Sequence, residues 1–218
     1  MKIIIGTVLG SVLITIIFYI GLLITDKVLL LNIKRKEGTI VSFPVIATGI
    51  LTFLGWFIIC INGQIYRSII ELSLVFFLVC GMAVLNVVDI EKHIIPNLVL
   101  KVMLLFWSVI VGITIILDTG AGITLACQAL AGGIMGGAVF FLCYVLSGKR
   151  LGAGDVKLVF VMGLYLTGQR IMGVLLYGVL LCCIYSIVQL CRKKIGFKDG
   201  VPMTPFLYMG TVLAFIIL

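Results

Sequence analysis

Apolar stretches long enough to cross a lipid bilayer recur along the whole chain. Hydrophobic residues make up 63% of the 218 residues, charged residues only 11%, and the mean hydropathy is +1.37. A helix needs about 20 apolar residues to span a bilayer, and in lipid every backbone polar group must be paired internally. The sequence therefore predicts an all-α polytopic transmembrane helix bundle, folded as a single membrane-embedded domain over residues 1–218.

We expect about eight spans, at residues 3–25, 40–61, 69–88, 98–117, 121–146, 156–167, 171–190 and 201–218. The first apolar run is long and no small-residue cleavage site follows it, which predicts an uncleaved span rather than a signal peptide. The sixth segment is shorter than the roughly 20 residues that an untilted crossing needs. A re-entrant hairpin made of the sixth and seventh segments stays open as an alternative.

Basic residues are concentrated on one predicted side of the membrane. The formal net charge is +8, and 13 of the 16 lysines and arginines fall in the loops after the odd-numbered spans or at the adjoining span ends. Cytoplasmic loops carry such an excess, so these loops are predicted to be cytoplasmic and both termini external. The charge is explained by topology and contact with anionic lipid, and we predict no nucleic-acid partner.

Two short polar islands interrupt the apolar sequence, at 89–97 and at 152–157. Each places one carboxylate, Asp89 or Asp155, at the rim of a span. Two spans separate them, so the chain returns to the same side and the two residues can meet. Carboxylates in or beside the membrane are costly, and a close pair is the minimum equipment of an aspartyl protease.

The other acidic residues have simpler explanations. Three are expected to be solvated charges of basic loops: Asp26, Glu37 and Asp199. Asp118 is predicted to form a turn or helix cap, and Glu71 to face the interface or to pair with Arg67 four residues earlier. Glu91 follows Asp89 in a polar segment, where a loop charge is the expected role.

No other catalytic or metal-binding pattern is present in the sequence. The seven cysteines form no C-x-x-C, and most lie in apolar spans, which indicates ordinary packing. His93 is the sole histidine, no G-x-S-x-G elbow accompanies it, and no phosphate-binding glycine loop occurs. We therefore predict no metal and no cofactor. Gly132, Gly133, Gly136 and Gly137 are expected to allow close helix packing.

The segments VVDIEKHIIPN (87–97) and GKRLGAGDVKLVFVMG (148–163) resemble the two active-site motifs of type IV prepilin peptidases, which are G-x-G-D intramembrane aspartyl proteases. VPMTPFLYMG (201–210) is similar to the proline-containing start of that family's last span. The resemblance implies that Asp89 and Asp155 are the two catalytic residues. It also implies supporting motif positions at Gly152, Gly154, Lys157, Pro96 and Asn97.

The resemblance further implies an endopeptidase that removes a short basic leader from prepilin-like substrates at the cytoplasmic face of the cell membrane. Many relatives carry paired C-x-x-C motifs in a loop after the first span and also methylate the new N-terminus. Residues 26–39 contain no cysteine. The chain therefore resembles a compact, peptidase-only form, for which we predict no N-methyltransferase activity.

Two functions from other classes compete with this interpretation. A proton-coupled carrier could use Asp89 and Asp155 as a relay, but it should show matched helix interruptions in two halves, and none is found. A membrane scaffold without catalytic activity would leave the paired aspartates unexplained. The predicted partners are a prepilin-like substrate helix and the lipid bilayer, and the sequence leaves the oligomeric state open.

Overall fold

The computed structural model describes residues 2–29, 43–61, 69–148, 151–193 and 201–217. Those residues form seven helices and no strand: α1 (Lys2–Leu29), α2 (Phe43–Ile61), α3 (Ile69–Lys92), α4 (Asn97–Leu117), α5 (Thr119–Leu146), α6 (Ala153–Cys191) and α7 (Thr204–Ile217). Five of them, namely α1, α3, α4, α5 and α6, are long and apolar enough to cross a membrane. The predicted all-helical fold is confirmed, and the length and apolar composition of these five helices agree with a membrane protein.

The expected number of eight spans is not confirmed, and α6 shows why. Its backbone leaves the helical region at Thr167, where φ is 62° and ψ is 175°. A Cβ added to Gly136 of α5 would lie 3.1 Å from Val159 and 3.0 Å from Ile171, so the chain reverses direction between those two residues.

The two parts of α6, a first leg at 153–166 and a second leg at 168–191, therefore form a hairpin. At about 1.5 Å per residue the first leg is roughly 21 Å long, short of the roughly 30 Å hydrocarbon core. The break falls where the sequence predicted the boundary between its sixth and seventh segments, but the structure does not make the first leg a complete span.

Helix α3 lies at the centre of the bundle. It packs against α1, α2, α4, α6 and α7, and its side chains from Val79 to Asp89 are buried. The outer faces of α1, α4 and α5 instead expose large apolar side chains such as Leu13, Leu105 and Phe141. Apolar outer faces suit contact with lipid tails, because the hydrocarbon core contains no water that could solvate polar or charged side chains.

The predicted close packing at the glycines of α5 is confirmed. Gly132, Gly133, Gly136 and Gly137 are all buried, and they contact the hairpin formed by α6. A Cβ on Gly132 would lie 2.5 Å from the carbonyl oxygen of Gly163, so any larger side chain would separate the helices.

Among the acidic residues, the structure confirms the role predicted for Asp118 and contradicts the one predicted for Asp26. Asp118 caps α5 as predicted, because its Oδ1 accepts a 3.0 Å hydrogen bond from the Ala121 N–H. The expectation for Asp26 is wrong: this residue lies within α1 and is only 3% exposed. Glu71 lies half-buried in the first turn of α3. The remaining expectations concern Glu37, Asp199 and the Arg67 partner of Glu71, and these three residues lie outside the described ranges.

Candidate active site

Asp89 lies in the last turns of α3 and is only 6% exposed. The sequence placed the end of this span at residue 88, but α3 continues to Lys92, so Asp89 is held by helix on both sides. Its Oδ2 accepts a 3.0 Å hydrogen bond from the backbone N–H of Thr204, the first residue of α7. Donors at a helix N-terminus favour a negative charge, so α7 supports the Asp89 carboxylate.

Asp155 is the third residue of α6 and is partly buried. Its backbone N–H donates to the Gly152 carbonyl at 3.0 Å, which closes the first turn of the helix. A Cβ at position 152 would lie 2.8 Å from the Asp155 Oδ2 atom. Glycine at 152 therefore leaves the space that the Asp155 carboxylate occupies.

The two aspartates come from different polar islands, yet they lie close enough for the charge on Asp89 to act on Asp155. Two carboxylates in a partly desolvated site cannot both ionise easily, so such a pair favours a state in which one of them is protonated.

The two polar islands of the sequence contact each other directly. A Cβ on Gly154 would lie 3.1 Å from the Ile95 side chain, so the start of α6 packs against the connection between α3 and α4. Lys157 Nζ donates to the Asn97 Oδ1 at 3.3 Å. Pro96 is buried and occupies the position immediately before α4. All seven positions singled out by the sequence therefore belong to one contiguous region.

Behind Asp89, four buried polar side chains connect three helices, and we call them the polar seam: Thr48, Thr52, Asn86 and Tyr208. The Tyr208 hydroxyl donates to Thr52 Oγ1 at 3.1 Å, and the Thr52 hydroxyl donates to the Thr48 carbonyl at 2.7 Å. Asn86 Nδ2 donates to Thr48 Oγ1 at 2.9 Å. These hydrogen bonds join α2 to α3, which carries Asp89, and to α7, whose first residue donates to the Asp89 carboxylate.

The polar seam is not predicted by any motif discussed above, although the sequence contains signals for it. Asn86 is an amide in an apolar run one turn before Asp89. Thr48 and Thr52 are four residues apart, as are Thr204 and Tyr208, and that spacing places each pair on one helix face. Within the described residues, Asn86 Oδ1 and Thr204 Oγ1 are buried without a hydrogen-bond partner, so the surroundings of Asp89 stay polar.

The described residues include no group of three or more histidine, cysteine or acidic side chains placed to hold a metal ion. We therefore assign no metal ligands. The chemistry that this site can perform is proton transfer between two carboxyl groups and a third reactant, which is general acid–base chemistry.

The five membrane-length helices and the polar site at one end of the bundle define the class of helical membrane proteins. The chain belongs to the type IV leader peptidase family, whose match covers residues 76–187. This range includes Asp89, Asp155 and both legs of α6 up to residue 187, but it excludes α2 and α7. The comparisons with curated proteins and with solved structures gave no match.

Proposed function

We propose that this member of the type IV leader peptidase family is an aspartic-type endopeptidase with Asp89 and Asp155 as its catalytic pair. The observation that carries the proposal is the meeting of these two residues. Each comes from a different polar island, each is at least partly buried, and their charges interact. Costly intramembrane acids brought together in this way favour catalysis over structure.

Their surroundings suggest different roles. Asp89 accepts the N–H of Thr204, so we assign it the ionised form that takes a proton from the attacking water. Asp155, held beside that charge, carries the proton and donates a hydrogen bond to the scissile carbonyl. After the tetrahedral intermediate forms, Asp89 returns its proton to the leaving amine as the C–N bond breaks, and Asp155 keeps a proton for the next cycle.

The proposed substrate is a prepilin-like protein that carries a short basic leader before an apolar helix, and the proposed cleavage side is the cytoplasmic face of the cell membrane. The charges of the described residues support that side. The end of the bundle that holds the aspartates also carries Lys92, Lys101, Lys157, Arg192 and Lys193. Arg170 follows the hairpin turn at the opposite end, which agrees with the positive-inside rule.

Co-expression with candidate pilin-like proteins, followed by mass spectrometry of their N-termini, tests this function. We expect loss of the basic leader with the wild-type chain and retention of the leader with Asp155→Asn. The same spectra test the peptidase-only prediction in a host without another methylase, because the mature N-terminus should carry no added methyl group. If the tested pilin-like proteins all keep their leader peptides although the enzyme is well expressed, the proposal is contradicted.

A further inference from the structure

A groove of about 600 Å³ runs between α4 and the first leg of α6, with Gly137 of α5 at its floor. Its walls are mainly apolar: Leu100, Leu104, Val156, Phe160 and Val161. Three polar side chains also line it, at the end of the bundle that holds the aspartates: Asn97, Lys101 and Lys157. The groove therefore combines a hydrophobic channel with two positive charges.

The groove shares Asn97 and Lys157 with the region around the candidate site, but neither aspartate lines it. The first leg lines it with Val156, Lys157, Phe160 and Val161. Leu158 and Met162, three and seven residues after Asp155, share the opposite face of the helix with that aspartate and are completely buried. The first leg thus separates the groove from the two aspartates, and only the exclusion of a substrate helix below rests on the proposed function.

Lys157 donates its hydrogen bond to the neutral amide of Asn97, which does not neutralise the charge of the ammonium group. Lys101 lies one turn after Asn97, on the same face of α4, and is exposed. Two ammonium groups and an amide at one end of a groove match the charge and hydrogen-bonding capacity of a phosphate group.

The surface around the groove indicates where that phosphate comes from. Leu104 lines the groove and is 36% exposed, and the neighbouring Leu105 is 66% exposed, so α4 faces the lipid tails here. A lipid acyl chain is therefore the apolar group available to fill the groove. The phosphate of the same lipid then reaches the lysines at the membrane surface. Basic pockets between transmembrane helices bind anionic headgroups in this manner.

We propose that the groove binds one anionic phospholipid, with its phosphate on Lys101 and Lys157 and an acyl chain between α4 and the first leg. A substrate helix is the other candidate occupant. The leader implied by the family is basic, and two lysines at the entrance would repel it. The charges therefore favour the lipid.

Native mass spectrometry of the full-length protein in detergent tests this site. Phosphatidylglycerol and phosphatidylcholine with identical chains are titrated, and retained lipid is counted. We expect wild type to retain phosphatidylglycerol preferentially, and Lys101→Gln/Lys157→Gln to bind it roughly ten-fold or more weakly, since each lysine near the surface contributes attraction. The matched control is Lys27→Gln/Lys193→Gln, which removes two exposed charges outside the groove and should keep the preference.

A second variant tests the channel rather than the charge. Leu104→Trp fills the groove from its exposed edge and leaves both lysines in place, so it should also weaken phosphatidylglycerol binding. Equal binding of the two lipids by wild type, or unchanged binding in both groove variants, would overturn the proposal. So would equally strong binding of glycerol phosphate without chains, or displacement of the lipid by a pilin-like helix peptide.

Discussion

The backbone N–H of Thr204 donates a 3.0 Å hydrogen bond to the Asp89 Oδ2 atom, which joins the first residue of α7 to the end of α3. Thr204 lies beyond residues 76–187, the part of the chain that matches the family. One of the two proposed catalytic acids is therefore held by a segment outside that match. The bond gives α7 a role in the site and not only in the bundle.

Thr204→Pro removes this donor while keeping a helix start, because proline suits the first position of a helix. We expect the cleavage rate to fall roughly ten- to hundred-fold, in line with about 1.5–3 kcal/mol for a hydrogen bond to a charged group. Steady-state kinetics in detergent measures the loss in kcat.

Thr204→Val is the matched control, since it keeps the N–H and removes only the hydroxyl. That hydroxyl is buried without a hydrogen-bond partner among the described residues, so its loss should leave stability unchanged or slightly raised. If the valine variant loses as much activity as the proline variant, the backbone bond is not what supports Asp89.

Tyr208→Phe breaks the bond between α7 and α2 in the polar seam. Tyr165→Phe is its control, because it removes another buried tyrosine bond, a 2.6 Å contact with the Met103 carbonyl, away from Asp89. We expect each to cost about 0.5–1.5 kcal/mol of stability, whereas only Tyr208→Phe should lower kcat and alter the pH–rate profile. Identical profiles for the two variants would mean that the seam serves packing alone.

Gly152→Ala should displace the Asp155 carboxylate, because the new Cβ would lie 2.8 Å from its Oδ2 atom. The φ of −67° at this position suits alanine, so backbone strain does not contribute. We expect at least a ten-fold loss of activity with the fold intact, since small misplacement of reacting groups is costly. Circular dichroism and kcat/KM measured on one preparation separate the two effects.

Gly112→Ala is the control for that substitution. It also adds a methyl group to a glycine, but nothing lies within 4 Å of the new Cβ in α4. Alanine is the better helix former, so this variant should be as stable as wild type or slightly more stable. A comparable loss of activity in both variants would show that the crowding at Asp155 is not the cause.

The sequence predicted the helical membrane class, the two polar islands and the capping role of Asp118, because each depends on local composition. A carboxylate in an apolar run is visible without knowing its neighbours. The sequence predicts the end of this span four residues too early, because the polar residues after Val88 resemble a helix end. Helix α3 continues to Lys92, and Asp89 is buried within it.

Other features depend on contacts that the linear sequence does not display. Asp26 was expected in water because it follows an apolar run among basic residues, yet α1 extends past it and buries it. The polar seam joins α2, α3 and α7 through side chains that are individually unremarkable in a membrane helix. The reversal at Thr167 places both Val159 and Ile171 against Gly136, and no sequence motif marks that contact.

The membrane side of the site can be measured with introduced thiols. After replacement of native cysteines, single cysteines at Glu91, Lys149 and Arg67 report on the two predicted faces. An impermeant thiol reagent added to intact cells should label position 67 and leave 91 and 149 unlabelled, because the basic loops mark the cytoplasmic side. Labelling of 91 or 149 from outside would place the site on the opposite face.

The cleavage rate of the two dyad variants tests the central claim most directly. Asp89→Asn and Asp155→Asn keep the size of each side chain but remove its proton chemistry, so each should lower the rate by roughly 10²–10⁴-fold or more. Glu91→Gln and Asp118→Asn change acids outside the pair and should retain most activity. If either dyad variant cleaves a prepilin-like substrate at a rate close to wild type, while expression and unfolding temperature are unchanged, Asp89 and Asp155 are not the catalytic pair.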